Sequence, residues 1–162
     1  MWLTHEQLLI LLLLLIANGA PLLAGKLLRK YHYPLDGGSK FVDGRPLFGP
    51  SKTIRGILAA LVATPLASMA IGLGWLPGLL IGLFAMIGDL FSSFLKRRLD
   101  IPSSRHASGL DHVPESVFPL LACSTVIELP AFQIFLLVVL FVSGGFLLWR
   151  IAGWLGIRQH PY

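Results

Sequence analysis

Three polar segments, separated by long apolar runs, hold the side chains able to do chemistry in this chain of 162 residues. The first, Gly49-Pro-Ser-Lys-Thr-Ile-Arg-Gly56, leads straight into an apolar run. A helix starting there offers free N–H groups and the positive end of its dipole to an anion. Lys52, Thr53 and Arg55 add charge and a hydroxyl donor. A P-loop is excluded: Gly44 and Gly49 have the Gly-x-x-x-x-Gly spacing, but Pro50 and Ser51 intervene before Lys52-Thr53, and no strand precedes them. On these residues alone the segment is either a phosphate-binding helix start of another kind or a basic loop that only orients the chain in a membrane.

The second segment is Gly88-Asp-Leu-Phe-Ser-Ser-Phe-Leu-Lys-Arg-Arg98. Asp89 stands seven residues before Lys96, so on a helix it lies ~10 Å below the charged boundary. A carboxylate at that depth costs a few kcal/mol to insert and is either paired with a cation or functional. Asp89, Ser92 or Ser93, and Lys96 recur at helical spacing and share one face. In the third segment, Asp111 and Glu115 are four residues apart, so one helical turn aligns them. Each alone also suits a helix N-terminus. Together with Asp89 they form a carboxylate cluster whose mutual repulsion a divalent cation would relieve. Oxygen-only ligands beside phosphate favour Mg2+ over zinc.

Several elements must position these groups. The chain is 55% hydrophobic and 13% charged, about half the ~25% charge of a soluble domain, and its mean hydropathy is +0.76. Disorder is excluded and a water-soluble globule disfavoured. At ~20 apolar residues per crossing, the uncharged runs make five spans, at about 7–25, 56–73, 75–95, 115–128 and 130–150. The expectation is therefore an all-α polytopic membrane protein, a single integral-membrane domain over 1–162 with loops 26–55 and 96–114. A cleavable signal is the rival reading of the first run, but basic residues follow it and none precede it. The 33-residue uncharged stretch from Gly56 to Gly88 breaks at Gly72-Leu-Gly-Trp-Leu-Pro-Gly78. The lone cysteine, Cys123, excludes an intramolecular disulfide and a cysteine-based metal cluster.

The charges orient the spans. Seven of the 13 basic residues fall in the first loop, four in the second and two in the tail, and none elsewhere. The positive-inside rule then puts the N-terminus outside, the C-terminus inside, and both polar loops in the cytoplasm. The net charge of +5 thus reflects topology and calls for no nucleic acid. Gly78 and Gly82 form a Gly-x-x-x-Gly pair, and Gly144-Gly145 follow in the last span. Such residues are mostly helix-packing contacts and also permit a homodimer.

The chain resembles the CDP-archaeol synthase family of small membrane cytidylyltransferases. The resemblance rests on Asp43-Gly-Arg-Pro-Leu-Phe-Gly-Pro-Ser-Lys-Thr-Ile-Arg-Gly56, on Gly88–Arg98, and on Gly109-Leu-Asp-His-Val-Pro-Glu-Ser116, and covers essentially the whole chain. A more distant similarity links it to phosphatidate cytidylyltransferases through Pro50–Gly56, Ser93-Phe-Leu-Lys-Arg97 and Gly109-Leu-Asp111. That larger family ends its signature with His-Gly-Gly and two aspartates three apart. Here Ala107-Ser-Gly109 precedes Asp111 and Glu115.

The resemblance implies a reaction of CTP with a membrane lipid phosphate, giving a CDP-activated lipid and pyrophosphate, in phospholipid biosynthesis at the cytoplasmic side of the cell membrane. The lipid phosphate would be either an archaeal ether lipid or phosphatidate-like. It also implies roles: Lys52, Asp89, Lys96 and Asp111 catalytic; Mg2+ on Asp89 and Asp111, with Glu115 as third or outer ligand. Lys52, Thr53 and Arg55 would hold CTP phosphates, and Ser93, Lys96 and Arg97 the lipid phosphate or leaving group. A lipid phosphate is already ionised, so no general base is required, and His106 and His112 are read as loop residues. The competing functions are a CTP-dependent lipid kinase and a non-catalytic membrane protein that binds or transports lipid.

Overall fold

Five helices in chain order account for most of the chain in a computed structural model, which describes residues 4–101 and 108–154. They are α1 (His5–Leu27), α2 (Ile54–Ala70), α3 (Trp75–Arg98), α4 (Ser108–Cys123) and α5 (Ala131–Trp154). Among the described residues there is no strand, only two isolated β-bridges inside the segment between α1 and α2. Local chemistry sets the helix ends. Thr4 and Gln7 form a capping box at the start of α1, and Thr53 caps α2. Gly72 and Gly74 take positive φ in the turn before α3, where the Ser68 hydroxyl donates to the Gly74 carbonyl at 2.6 Å.

α3 is the hub, packed against α4, α2 and α1, while α5 closes against α4. The core comprises Ile10, Leu13, Leu14 and Ala17 of α1, Ala60 of α2, Ile81, Ala85 and Met86 of α3, Leu120 and Cys123 of α4, and Leu137 and Phe141 of α5. Large apolar side chains also cover the outside, among them Leu22, Leu58, Leu66, Phe91, Leu121, Phe132 and Phe135. So much exposed hydrocarbon would drive aggregation in water and suits lipid. α1 (23 residues) and α3 (24 residues) are long and apolar enough to cross a bilayer.

Because lipid gives helices no hydrophobic reason to associate, close packing at small residues must hold them together. Gly56, Ala60, Thr64 and Ser68 form a buried stripe on α2. A side chain at Gly78 would meet Ser68 Cβ at 2.5 Å, and one at Gly82 would meet the Ala60 carbonyl oxygen at 3.1 Å. The Gly-x-x-x-Gly pair of α3 is thus engaged within the chain, against α2. The tightest approach is at Gly88, where a Cβ would overlap the Pro114 carbonyl of α4. Asp89 is the next residue.

The helices overlie the five expected apolar segments, with one large offset. α4 begins at Ser108, seven residues before the expected span start at 115, and ends at Cys123. Hydropathy marks only the greasy part of a helix. The hydrogen-bonded turns continue into the polar boundary, so Asp111 and Glu115 sit on α4 itself, one turn apart.

Candidate active site

The segment between α1 and α2 is folded by its own carboxylates and glycines. Asp36 accepts N–H bonds from Gly38 (3.0 Å), Phe48 (3.1 Å) and Gly49 (3.0 Å). Partial burial works against its charge, but the donors at Gly49, Phe48 and Gly38 outweigh it and hold the carboxyl below its usual range. Gly49 takes φ +90°, in the left-handed region that favours glycine. The Leu35 N–H donates to the Lys52 carbonyl at 2.7 Å and the Ile54 N–H to the Tyr33 carbonyl at 3.1 Å. Ser51, Lys52 and Thr53 are thereby delivered to the mouth of a cavity at the start of α2.

That cavity measures about 520 Å³ and draws on every helix. Lys52 and Thr53 come from the loop, Asp89 and Lys96 from α3, and Asp111, His112 and Glu115 from α4. Leu15 and Leu22 of α1, Ile57 of α2, Met86 and Leu90 of α3 and Phe141 of α5 supply apolar wall. Two ion pairs span the polar end. Lys52 bonds Asp89, and Lys96 Nζ lies 2.6 Å from Asp111 Oδ1, with both members of the second pair buried. His112 Nδ1 is 3.6 Å from Glu115 Oε2, and the Glu115 carboxyl also lies near Asp89. Three carboxylates therefore face two lysines.

Six of the nine side chains singled out from the sequence line this cavity: Lys52, Thr53, Asp89, Lys96, Asp111 and Glu115. Three do not. The Arg55 guanidinium bonds the Leu28 carbonyl at the end of α1. Ser93 is buried within α3. Arg97 lines a separate cleft of about 130 Å³ with Arg45, Pro46, Asp100 and Ile101. His106 lies outside the described residues. His112, read from the sequence as a loop residue, is on the cavity wall, with its ring edge-on to Phe141 of α5 and against Gly145. Its signal was the i, i+3 spacing to Glu115. Asn18 also lines the cavity and donates to the Leu14 carbonyl at 2.9 Å. As an amide inside an otherwise apolar run, it was visible in the sequence.

The donor set can be tested for a metal. Asp89 and Glu115 lie near one another in the cavity, and neighbouring carboxylates need a proton or a cation beside them. Lys52 fills that place for Asp89 here. All the donors are oxygens, which suits a hard dication. Among the described residues, however, no three His, Cys, Asp or Glu side chains are arranged to hold one ion. Asp111 turns to Lys96, so the expected trio of Asp89, Asp111 and Glu115 shares a cavity without converging on a point.

A family model described as CarS-like CDP-archaeol synthase matches residues 3–162. The chain belongs to this family. The CDP-archaeol synthase of Pyrobaculum arsenaticum is 34% identical to it over 126 residues, 71% of this chain and 72% of that protein. That of Pyrobaculum calidifontis is 37% identical over 119 residues, covering 70% and 71%. A solved structure described as an intramembrane enzyme for archaeal membrane lipids biosynthesis matches with a TM-score of 0.74 at 32% identity, over 91% of this chain and 92% of that one. In this member of the CDP-archaeol synthase family the whole cavity falls inside the matched region.

Proposed function

We propose that the cavity is the active site in which this chain, a CTP-dependent cytidylyltransferase, makes a CDP-activated lipid. The observation that carries the proposal is the meeting of Lys52, Asp89, Lys96 and Asp111 from three distant segments at the polar end of a cavity with greasy walls. That division fits an acceptor whose phosphate must reach charge while its chains stay in lipid. The relatives are named for CDP-archaeol, so the acceptor is taken to be an archaeal-type ether-lipid phosphate. A diacyl phosphatidate carries the same head group, and apolar contacts separate such chains by only ~1–3 kcal/mol per methylene-sized difference.

An oxygen of the lipid phosphate attacks the α-phosphorus of CTP. The bond from that phosphorus to the β-phosphate bridging oxygen breaks, and pyrophosphate leaves. Both reactants are anions, so catalysis is alignment and charge neutralisation. Lys52 and Thr53 hold the CTP phosphates at the α2 start, and Lys96 neutralises the lipid phosphate or the departing pyrophosphate. Mg2+ would need Asp89 and Asp111, which here pair with Lys52 and Lys96 and do not converge with Glu115 on one point, to turn from those lysines, and would then supply further neutralisation at the transferring phosphate. Arg55, Ser93 and Arg97 stand off the cavity and act at most through packing. A homodimer would have to use a surface other than Gly78 and Gly82, which α2 covers.

In the membrane, we place all five helices across the bilayer, the N-terminus outside, the C-terminus inside, and the polar mouth of the cavity at the cytoplasmic face of the cell membrane. Purified protein supplied with CTP labelled at the α- or γ-phosphate, Mg2+, and ether or ester lipid phosphates tests the reaction. Cytidylyl transfer moves α-label into lipid and γ-label into pyrophosphate. Label from the γ-phosphate in lipid would instead identify a lipid kinase, and no transfer to any lipid a binding or transport protein.

A further inference from the structure

The cavity does not use the most densely bonded polar cluster among the described residues, which lies where the first loop meets the end of α3. Two arginines there clasp each other's backbone. The Arg98 guanidinium bonds the Asp43 carboxylate and donates to the Pro46 carbonyl at 2.6 Å and the Arg45 carbonyl at 3.3 Å. Arg45 in turn donates to the Arg98 carbonyl at 2.6 Å and the Arg97 carbonyl at 3.4 Å. Those are last-turn carbonyls of α3, at the negative end of its dipole. The Arg98 guanidinium also lies over two rings, 4.9 Å from the centroids of both Phe41 and Phe94, and the rings meet edge to face at 5.3 Å.

This is more than charge pairing at a membrane boundary. A planar group with several fixed donors packs against two mutually perpendicular rings, one of the loop and one of α3, an arrangement that suits arginine better than lysine. The clasp ties the small hairpin closed by the Lys40–Pro46 bridge to the helix that carries Asp89 and Lys96. Six residues beyond Pro46 the same loop delivers Lys52 to Asp89. The loop is thus pinned at two points on one helix, one at the site and one away from it.

We propose that Arg98 is a positioning residue for the CTP-binding end of the site: packed against Phe41 and Phe94 and bonded to Asp43, Arg45 and Pro46, it fixes the loop on α3 and so sets where Lys52 stands relative to Asp89. The inference rests on the functional reading above, since it assumes that Lys52 meets the nucleotide phosphates. A displacement near 1 Å at a catalytic group can cost about a hundredfold in rate. Arg98→Ala should therefore weaken CTP binding and lower kcat/KM for CTP by roughly ten- to a hundredfold, while KM for the lipid phosphate stays unchanged. Arg98→Lys, which keeps the charge but not the stacked fork, should fall between. Methylguanidinium added to Arg98→Ala should restore part of the CTP affinity.

The experiment measures, on the full-length protein in detergent, CTP affinity by equilibrium dialysis, both KM values, and the rate of tryptic cleavage after Lys40. Faster cleavage together with a CTP-selective loss supports the proposal. It is overturned if cleavage accelerates with CTP affinity intact, if CTP affinity falls with cleavage unchanged, or if both substrates' KM values rise alike. A parent protein that neither binds CTP nor transfers cytidylate would sink the functional reading, and this inference with it. A parent that does both while the Arg98 variants behave normally would sink this inference alone.

Discussion

At the scale of single residues, the cavity's charges are each answered by a neighbour, which makes deletion of one member informative. A buried ion pair that loses one partner typically costs 3–5 kcal/mol, because the survivor is left uncompensated. Lys52 has a fallback, since the Glu115 carboxyl lies near the Asp89 it pairs with. Asp89→Asn should therefore lose Mg2+-dependent turnover with little change in thermal stability. Asp111→Asn should lose turnover as well and destabilise the fold more, because Lys96 is buried against it. Turnover against thermal unfolding in detergent checks both, and near-normal activity in the two variants would refute the metal assignment.

The placement of those carboxylates and lysines was legible in the sequence because charge inside a greasy chain is rare and must be accommodated. Arg55, Ser93 and Arg97 were less legible for a geometric reason. Ser93, three positions from both Leu90 and Lys96, is enclosed by packing. Arg55 and Arg97 each adjoin a cavity residue, and each step along a helix rotates the side chain by about 100°. Lys96 thus enters the cavity while Arg97 faces another cleft. His112 and Asn18 were missed for the opposite reason, since neither carries a fixed charge that demands a partner.

At the scale of elements, the site depends on how close α3 comes to α4. Gly88 lets the two backbones touch beside Asp89, and an added Cβ would lie 2.6 Å from the Pro114 carbonyl carbon and 2.9 Å from the Glu115 nitrogen. Those are backbone atoms that cannot swing aside, so the helices must part. Gly88→Ala should cost about 1–3 kcal/mol, the usual range for overpacking, and reduce turnover by separating Asp89 from Asp111 and Glu115. Gly144→Ala is the matched control, because nothing lies within 4 Å of its added methyl, and it should leave stability and activity intact. Thermal unfolding and cytidylyl transfer, measured on both, decide it, and equal effects would remove Gly88 from the argument. The helices themselves were readable from apolar runs and Gly/Pro breaks. The Gly88–Pro114 contact was not, because it joins residues 26 positions apart and depends on the crossing of two helices. The early start of α4 escaped for a related reason: hydropathy reports where lipid is, not where a helix begins.

At the scale of the whole molecule, the proposed orientation rests on where the cations stand. All 13 lie in the two long loops, the tail or the helix ends that adjoin them, and every cation at the cavity or at the Arg98 clasp belongs to that set. Topogenic charge and site charge are therefore the same charge. If the chain ran the other way, the cavity mouth would face outside, where CTP is absent, so activity and orientation must agree. This orientation is open to measurement by thiol labelling, because Cys123 is the only native thiol and is buried. Ser39→Cys places an exposed thiol in the first loop, and Thr125→Cys places one in the turn after α4. On intact cells a membrane-impermeant maleimide should label Thr125→Cys and spare Ser39→Cys, and lysis should make Ser39→Cys reactive. Labelling of Ser39→Cys from outside would invert the topology and leave the lysines of the cavity facing away from their nucleotide. Labelling of both thiols from one side would instead mean an even number of crossings between them, which α2, α3 and α4 as three full spans do not allow.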